Sequence, residues 1–258
     1  MNAIVVTPLT IAGTVVKIVA GLIWLGLIVA VLVPILIVLL PFRRTRIVLT
    51  NHAGTLIGRS LLWLSGCPVA VAGREHARTG ESVIFVGNHT SLLDTFTSIW
   101  LVPAGTVGIA KKELIWYPFF GQAWFLSGHL LIDRTDPARS VGALRELATY
   151  LRRNRLSVLL WPEGTRAPDG RLRPFKKGFA HMALQTGLPV VPMVTSGAHL
   201  AWRKGHIGFK PVPIRVEFLP PIETKHWTLE TLETHIEEVR QRFIAALPPE
   251  QRPIEGPA

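Results

Sequence analysis

The sequence predicts an α/β fold preceded by an N-terminal membrane helix or helical hairpin. Two observations lead to this fold class. Short apolar segments with the character of strands recur between stretches of helical periodicity, as in domains where strands and helices alternate. A long apolar run without a charged residue, at positions 18–40, comes before all of them. A chain of 258 residues suits one domain with a small appendage.

The apolar run at positions 18–40 is long enough to cross a membrane. Its 23 residues would extend about 35 Å as a helix, whereas the hydrocarbon core is roughly 30 Å thick. Only Lys17 precedes the run, whereas Arg43, Arg44 and Arg46 follow it. The positive-inside rule therefore predicts a membrane-anchored protein whose remaining residues lie on the cytosolic face, which is that of the inner membrane if the cell is bacterial.

Pro34 leaves the form of this anchor open. Because proline lacks a backbone N–H and favours a kink, a hairpin that dips into one leaflet competes with a single spanning helix. Either form makes residues 1–42 the membrane anchor. A membrane-proximal linker or helical segment is predicted at 43–82, the main domain at 83–247 and a loose tail at 248–258.

The elements of the main domain follow from local patterns. An apolar run at 55–72 is interrupted by Arg59 and broken at Ser65-Gly66-Cys67-Pro68. We expect it to lie against the membrane surface or to cover the core as a buried helix. Bounded apolar segments predict strands at 83–86, 130–132, 157–161, 190–194 and 214–218.

Three helices are expected between and after these strands. Asp136-Pro137 supplies an N-cap and a proline at the first helical position, and arginines at 152, 153 and 155 suit the end of that helix. Residues 177–186 predict a second helix that ends at Gly187. Residues 229–247 carry apolar side chains at 232, 236, 239, 243 and 247, which form one stripe and predict a third helix.

The charge distribution indicates an anionic membrane surface as a partner. Outside residues 1–42, which hold one lysine and no acid, the chain carries 27 basic and 17 acidic residues, a net charge of +10. No motif for nucleic-acid binding accompanies this charge, so lipid headgroups are the expected partner. The single cysteine, Cys67, excludes an internal disulfide, and no zinc-ligand spacing occurs. We expect no metal and no cofactor.

The first segment with candidate chemistry runs from Asn88 to Asp94. Ser91-x-x-Asp94 ahead of an apolar run is similar to a capping box and predicts a helix that starts at Ser91. His89 would then lie on the preceding turn and fold back toward Asp94. The carboxylate would hold one ring nitrogen, and the helix N-terminus would favour a neutral ring that can accept a proton on the other.

The second segment is Pro162-Glu163-Gly164-Thr165-Arg166, directly after a predicted strand. Gly164 permits a sharp turn, and the guanidinium of Arg166 can bind a phosphate through two parallel hydrogen bonds. The alternative is a solvated basic loop. Further basic residues follow at Arg171, Arg173, Lys176 and Lys177, opposed only by Asp169.

Together with two further blocks, these segments resemble the 1-acylglycerol-3-phosphate acyltransferase family. The matching region runs from about 83 to 195, close to half the chain. Trp161 stands where the family usually has Phe, and Ala167 replaces another small residue; neither departure is expected to touch the chemistry. The four blocks, in order, are 88–94, then 111–114 with 128–134, then 161–166 with 175–178, and 191–194.

The resemblance implies a mixed sheet flanked by helices and an acyltransferase domain at 83–247. It implies transfer of a fatty acyl chain from acyl-CoA or acyl carrier protein to the sn-2 hydroxyl of lysophosphatidic acid, which gives phosphatidic acid. His89 would act as the base and Asp94 would support it. The expected substrate contacts are Lys111, Arg134, Glu163, Gly164, Thr165, Arg166 and Lys177, with Asn88 and Ser91 in supporting roles.

Two other readings stay open. The acceptor could be another lysolipid, such as a lysophospholipid or a lyso-aminolipid. The chain could also be a basic protein that binds anionic membranes without catalysis, although this reading leaves the two motifs unexplained. Aromatic residues at 116–120 or 124–126 are expected to line an acyl-chain groove or to contact lipid; plain core packing is the alternative.

Overall fold

The computed structural model describes residues 8–77, 80–133, 135, 137–202 and 210–254. Within them, seven strands form one sheet. The strands predicted from the sequence at five positions are all present. The seven are β1 (Val69–Ala72), β2 (Ile84–Gly87), β3 (Thr106–Lys111), β4 (Leu130–Ile132), β5 (Ser157–Leu160), β6 (Val190–Ser196) and β7 (Ile214–Phe218).

The sheet is mixed, with the strand order β1-β7-β6-β2-β5-β3-β4. Neighbours from β6 to β4 run parallel, β7 runs antiparallel to β6, and β1 runs parallel to β7. Two strands lie outside the five predicted positions. In β1 four alternating Val and Ala residues are too short a segment to stand apart from the apolar run at 55–72. In β3 Gly108 makes room for the Trp124 ring, which would lie 2.5 Å from a Cβ there.

Helices surround the sheet, and the three predicted ones are confirmed. The helix after β4 begins at Pro137; its expected N-cap, Asp136, lies outside the described residues. The helix bounds are α1 (Pro8–Val38), α2 (Arg43–Ser65), α3 (Arg74–Ala77), α4 (Leu93–Leu101), α5 (Phe120–Ser127), α6 (Pro137–Asn154), α7 (Gly178–Thr186), α8 (Ala198–Ala201) and α9 (Leu232–Ala246). Single 3₁₀ turns cover Lys112–Trp116 and Pro249–Gln251.

The alternation of side chains along the strands divides the core into two layers. Ile84 and Val86 of β2 face α6, α7 and α9, whereas Phe85 between them faces α2, α4 and α8. The predicted stripe of α9 is buried at Leu232, Ile236, Val239, Phe243 and Leu247, as expected. The result is a three-layer arrangement with the sheet in the middle.

The described residues of the segment 43–82, predicted as a membrane-proximal linker or helical segment, pack onto the domain predicted at 83–247. Within this segment, β1 pairs with β7 along its whole length. α2 buries Ile47, Ile57 and Leu62 against the sheet layers and against α4. The run at 55–72 is therefore a helix that covers the core, followed by an edge strand.

The described part of the segment 248–258, predicted as a loose tail, makes ordered contacts with the domain. Gln251 is 1% exposed, and its side-chain oxygen accepts a hydrogen bond from the backbone N–H of Gly197 at 2.9 Å. Its backbone oxygen accepts from Leu172 at 2.8 Å, and Arg171 donates to the carbonyl of Arg252. These contacts join the end of the chain to the loop that follows Arg166.

α1 is the apolar N-terminal element. Of the described residues, Ala12–Val38, with a mean hydropathy of 2.9, is the helical segment long and apolar enough to cross a membrane. The helix continues through Pro34 and lies beside α2, to which residues 39–42 connect it. Leu25 and Val29 pack against Ile57 of α2, while many of its other apolar side chains are exposed.

Candidate active site

Three of the predicted site residues lie at one edge of the sheet. His89 follows β2, Glu163 follows β5, and Lys111 is the last residue of β3. Because these strands are parallel, their carboxyl ends lie side by side. In open α/β sheets this is the edge at which ligands bind.

His89 and Asp94 form a hydrogen-bonded pair at this edge. The His89 Nδ1 atom lies 3.3 Å from Oδ2 of Asp94, whose side chain is 1% exposed, whereas the His89 side chain is 16% exposed. The same carboxylate oxygen accepts hydrogen bonds from the backbone N–H groups of Thr90 at 2.6 Å and Ser91 at 2.7 Å. Asp94 thus fixes both the loop and the tautomer that leaves Nε2 of His89 able to accept a proton.

The turn around this pair differs slightly from the predicted capping box. α4 begins at Leu93, two residues after Ser91, because Asp94 folds back to accept from the turn itself. The Ser91 hydroxyl accepts from the N–H of Leu93 and donates to the carbonyl of Trp202 at 2.9 Å. Ser91 therefore supports the loop from a buried position.

Asn88 ties the loop to the neighbouring strand. Its side-chain amide donates to the carbonyl of Thr195 at 2.8 Å, and its oxygen accepts from the N–H of Thr195 at 2.7 Å. This pair of bonds reproduces a strand ladder beyond the end of β2. Asn88 is 1% exposed, so from a buried position it fixes the backbone next to His89.

Glu163, expected from the sequence to contact the substrate, faces inward rather than toward the open edge. It is 3% exposed, and its Oε1 accepts from the backbone N–H of His89 at 2.8 Å. Its Oε2 accepts from the N–H of Arg173 at 3.4 Å. Burial raises the pKa of this carboxyl to about 8, although the two N–H donors act in the opposite direction. Glu163 joins the His89 loop to the basic loop.

Trp161 contacts the site, contrary to the expectation that this position leaves the chemistry untouched. Its indole ring stacks on the imidazole of His89 with 4.7 Å between ring centroids and 19° between planes. The sequence predicted Trp161 as the end of a strand. The strand ends one residue earlier, at Leu160, and Trp161 opens the loop.

Gly164, Thr165 and Arg166 form the turn after Glu163. Gly164 has a φ of 72°, a left-handed conformation that glycine adopts readily, and a Cβ there would lie 3.0 Å from Nζ of Lys176. The N–H of Ala167 donates to the carbonyl of His89 at 2.9 Å, which brings the turn next to the His89 loop. Among the described residues, Arg166 has no ion-pair partner.

The other predicted basic contacts are dispersed. Lys177 makes an ion pair with Glu233 of α9, whereas its neighbour Lys176 lies over Gly164. Lys111 is exposed at the end of β3, and its Nζ lies 6.0 Å from the centre of the Tyr117 ring. Arg134 lies outside the described residues.

Three residues with a part in this site were not among the predicted site residues. Trp161 and Lys176 stood within the matching blocks, so proximity to the motif was an available signal. Gln251 carried none, because its contacts come from a distant part of the chain. Across the described residues, no three His, Cys, Asp or Glu side chains group as metal ligands would.

The chain is similar in sequence and in structure to known proteins. Residues 68–196 match the sequence profile of a family described as acyltransferase. A 1-acyl-sn-glycerol-3-phosphate acyltransferase of Limnanthes alba is 46% identical over 220 residues, which cover 85% of this chain and 78% of that protein. The chain belongs to the acyltransferase family. The profile begins at residue 68, so this enzyme's catalytic domain includes β1, as the fold requires.

Two further relatives of this acyltransferase are more distant in sequence, and one of them has a solved structure. The 1-acyl-sn-glycerol-3-phosphate acyltransferase of Escherichia coli is 33% identical over 199 residues, covering 75% of this chain and 79% of that protein. The crystal structure of the 1-acyl-sn-glycerophosphate acyltransferase PlsC of Thermotoga maritima aligns with a TM-score of 0.65 and 30% identity. The alignment covers 74% of this chain and 77% of the Thermotoga maritima chain.

Proposed function

We propose that this acyltransferase moves a fatty acyl chain from a thioester to the sn-2 hydroxyl of 1-acylglycerol-3-phosphate, which gives phosphatidic acid. The observation that carries the proposal is the His89–Asp94 pair at the carboxyl edge of a parallel sheet. The relatives named above as 1-acyl-sn-glycerol-3-phosphate acyltransferases support the choice of acceptor.

The proposed reaction needs no enzyme nucleophile, because the acceptor alcohol attacks directly. Nε2 of His89 takes the hydroxyl proton while the alcohol oxygen bonds to the thioester carbonyl carbon. Asp94, held by Nδ1 and two backbone N–H groups, stabilises the imidazolium. The C–S bond then breaks, and the imidazolium returns its proton to the departing thiolate.

The acceptor phosphate is expected to bind the basic turn after Glu163. Arg166 has no acidic partner in the described part of the chain, so its guanidinium is free to pair with a phosphate through two hydrogen bonds. Lys176, which lies over Gly164, can add a second positive charge. Lys111, the last residue of β3, lies at the same edge and can contribute a further charge; Arg134, the other expected contact, lies outside the described residues.

Membrane attachment through α1 accounts for access to lipid substrates, and its contacts favour a hairpin in one leaflet. Lys17 donates to the carbonyl of Ser65 at 3.2 Å, and Trp24 donates to the hydroxyl of Ser60 at 2.7 Å. α1 therefore lies along α2, which in turn packs against the domain. A spanning α1 would draw part of that polar domain into the bilayer, which is costly.

The side of the membrane on which the N-terminus lies distinguishes the two forms of anchor. A one-leaflet hairpin leaves the N-terminus on the same side as the catalytic domain, here taken as the cytosolic one. A spanning helix places it on the other side. A peptide tag at the N-terminus, probed with antibody in sealed and opened membrane vesicles, would reveal which form is present; protection in inside-out vesicles would contradict the hairpin.

The activity itself is tested with purified protein, following both thiol release and phosphatidic acid. His89→Ala should lower kcat by at least a hundredfold, since a positioned base contributes 10²–10⁴-fold. His181→Ala on the exposed face of α7 is the matched control and should leave turnover unchanged. Turnover by His89→Ala close to that of the wild type would refute the assignment.

An acceptor and donor panel tests the specificity. Lysophosphatidic acid should be preferred to a lysophospholipid with a substituted phosphate and to a lyso-aminolipid without one. Acyl-CoA and acyl carrier protein are compared as donors in the same assay, since the net charge of the domain attracts both. Preference for the lyso-aminolipid would overturn the proposed phosphate contacts at Arg166.

A further inference from the structure

Trp161 supplies the surface against which the imidazole of His89 lies. The two rings stack with 4.7 Å between centroids, and the planes differ by 19°. Asp94 meanwhile holds the ring edge through Nδ1. One face and one edge of the imidazole are therefore fixed by different parts of the chain, the loop after β5 and the helix α4.

The indole of Trp161 is itself confined. A Cβ at Gly87, the last residue of β2, would lie 3.2 Å from its Nε1 and 3.3 Å from its Cδ1. The indole thus rests directly on the backbone of β2, and a larger residue at position 87 would displace it. A Cβ at position 87 would therefore require the ring to shift by a few tenths of an ångström.

Hydrogen bonding does not explain why a tryptophan lies here. The Nε1 atom of Trp161 is buried and has no hydrogen-bond partner among the described residues. An unpaired buried N–H is unfavourable. The ring is therefore held by packing, against the apolar core layer that contains Phe85 and against the imidazole of His89.

We propose that Trp161 is a positioning residue for acyl transfer. It holds the imidazole in the plane that directs Nε2 toward the acceptor hydroxyl, and its π-face stabilises the imidazolium formed when the proton is taken. Aromatic faces attract cations most strongly where water is excluded, and small displacements of a reacting group lower rates steeply. The inference rests on the proposed function of His89 and acts through that residue.

The test compares variants that keep or remove the aromatic face. Trp161→Phe retains a stacking ring and should keep most of the wild-type kcat. Trp161→Leu and Trp161→Met remove the ring and should lower kcat by roughly tenfold to a hundredfold. The KM values for lysolipid and thioester should change less than threefold, because the residue acts on His89 and not on either substrate.

A second tryptophan–histidine stack offers a matched control for loss of packing. Trp227, which is 6% exposed, stacks on His235 of α9 with 4.7 Å between centroids and 5° between planes. Trp227→Leu should lower the thermal midpoint without the selective fall in kcat. Because Met fills more of the site than a small residue would, Trp161→Met keeps the test valid if the leucine variant unfolds.

The outcomes separate this inference from the proposed function. In the His89→Ala background, Trp161→Leu should have no further effect on the residual rate. A wild-type kcat for Trp161→Leu, with His89→Ala inactive, would overturn the role of Trp161 alone. A rise in acceptor KM with unchanged kcat would make Trp161 a substrate contact and also overturn it. Activity retained by His89→Ala would refute the proposed function first.

Discussion

Glu163→Gln tests whether the buried carboxyl next to His89 lowers the free energy of unfolding of the enzyme. Glu163 is 3% exposed, and burial raises its pKa from 4.5 to about 8. Between these two values the unfolded chain has released the proton while the folded enzyme still holds it. The free energy of unfolding of the wild type must therefore fall as the pH rises through this window.

The size of the effect follows from the shift. Each unit of pKa corresponds to about 1.4 kcal/mol, so a group raised from 4.5 to about 8 removes up to about 5 kcal/mol by pH 8. Glutamine does not titrate and escapes this penalty. Its amide can accept only one of the two N–H bonds that Glu163 accepts, so the His89 loop should loosen and kcat should fall roughly tenfold.

The assay measures urea unfolding in detergent at pH 5, 6.5, 8 and 9 for wild type and Glu163→Gln. The difference in unfolding free energy should grow in favour of the variant up to pH 8 and then stay level. Glu146→Gln, at an exposed position on α6, is the control and should show no such trend. A difference independent of pH would mean that the two N–H donors outweigh burial, and would refute the reasoning.

Three further predictions concern residues around the site. Arg166→Ala should raise the lysolipid KM about ten- to a hundredfold with little effect on the thioester KM. Arg166→Lys should bring the lysolipid KM only part of the way back, because an ammonium cannot form two parallel bonds. Equal effects on both substrates would indicate a structural role for Arg166. Burial, with a smaller contribution from Arg43, lowers the pKa of His129 to about 4. Since the unfolded chain binds a proton there from pH 6.5 downward, the wild type should lose about 3 kcal/mol of stability between pH 6.5 and 4, and His129→Gln should lack this component in urea titrations. Gln251→Ala breaks the bonds to Gly197 and Gly170, so it should lower stability by about 1–3 kcal/mol and raise the lysolipid KM; unchanged melting and kinetics would contradict a role for the tail.

Local patterns were enough to predict most of the fold. Five strands were predicted within one or two residues, because buried parallel strands are apolar along their length. The helix that ends at Gly187 and the stripe on α9 were predicted from capping and periodicity. β1 and β3 were missed because a four-residue Val-Ala alternation and a glycine in mid-strand carry weak signals.

The aromatic segment after β3 shows why burial was harder to predict than secondary structure. Trp124 packs against Gly108 and stacks near His129, so core packing holds for it. Trp116, which is 82% exposed, and Phe125 instead project outward. Core packing is therefore confirmed for Trp124, while the predicted acyl-chain groove or lipid contact stays a prediction for the exposed residues; Trp124 and Phe125 differ because neighbouring residues on a helix face different sides.

The sequence by itself determined the chemistry available: a histidine on a turn before Asp94, and an acid, a glycine and an arginine after a strand. Those spacings lie within a few residues, so local backbone geometry governs them. Only the tertiary structure decided that Glu163 points inward, that Lys176 and not Lys177 lies over the turn, and that Trp161 stacks on His89. These contacts join strands far apart in the chain, and the order in which β2, β5 and β6 pair depends on packing of the whole sheet.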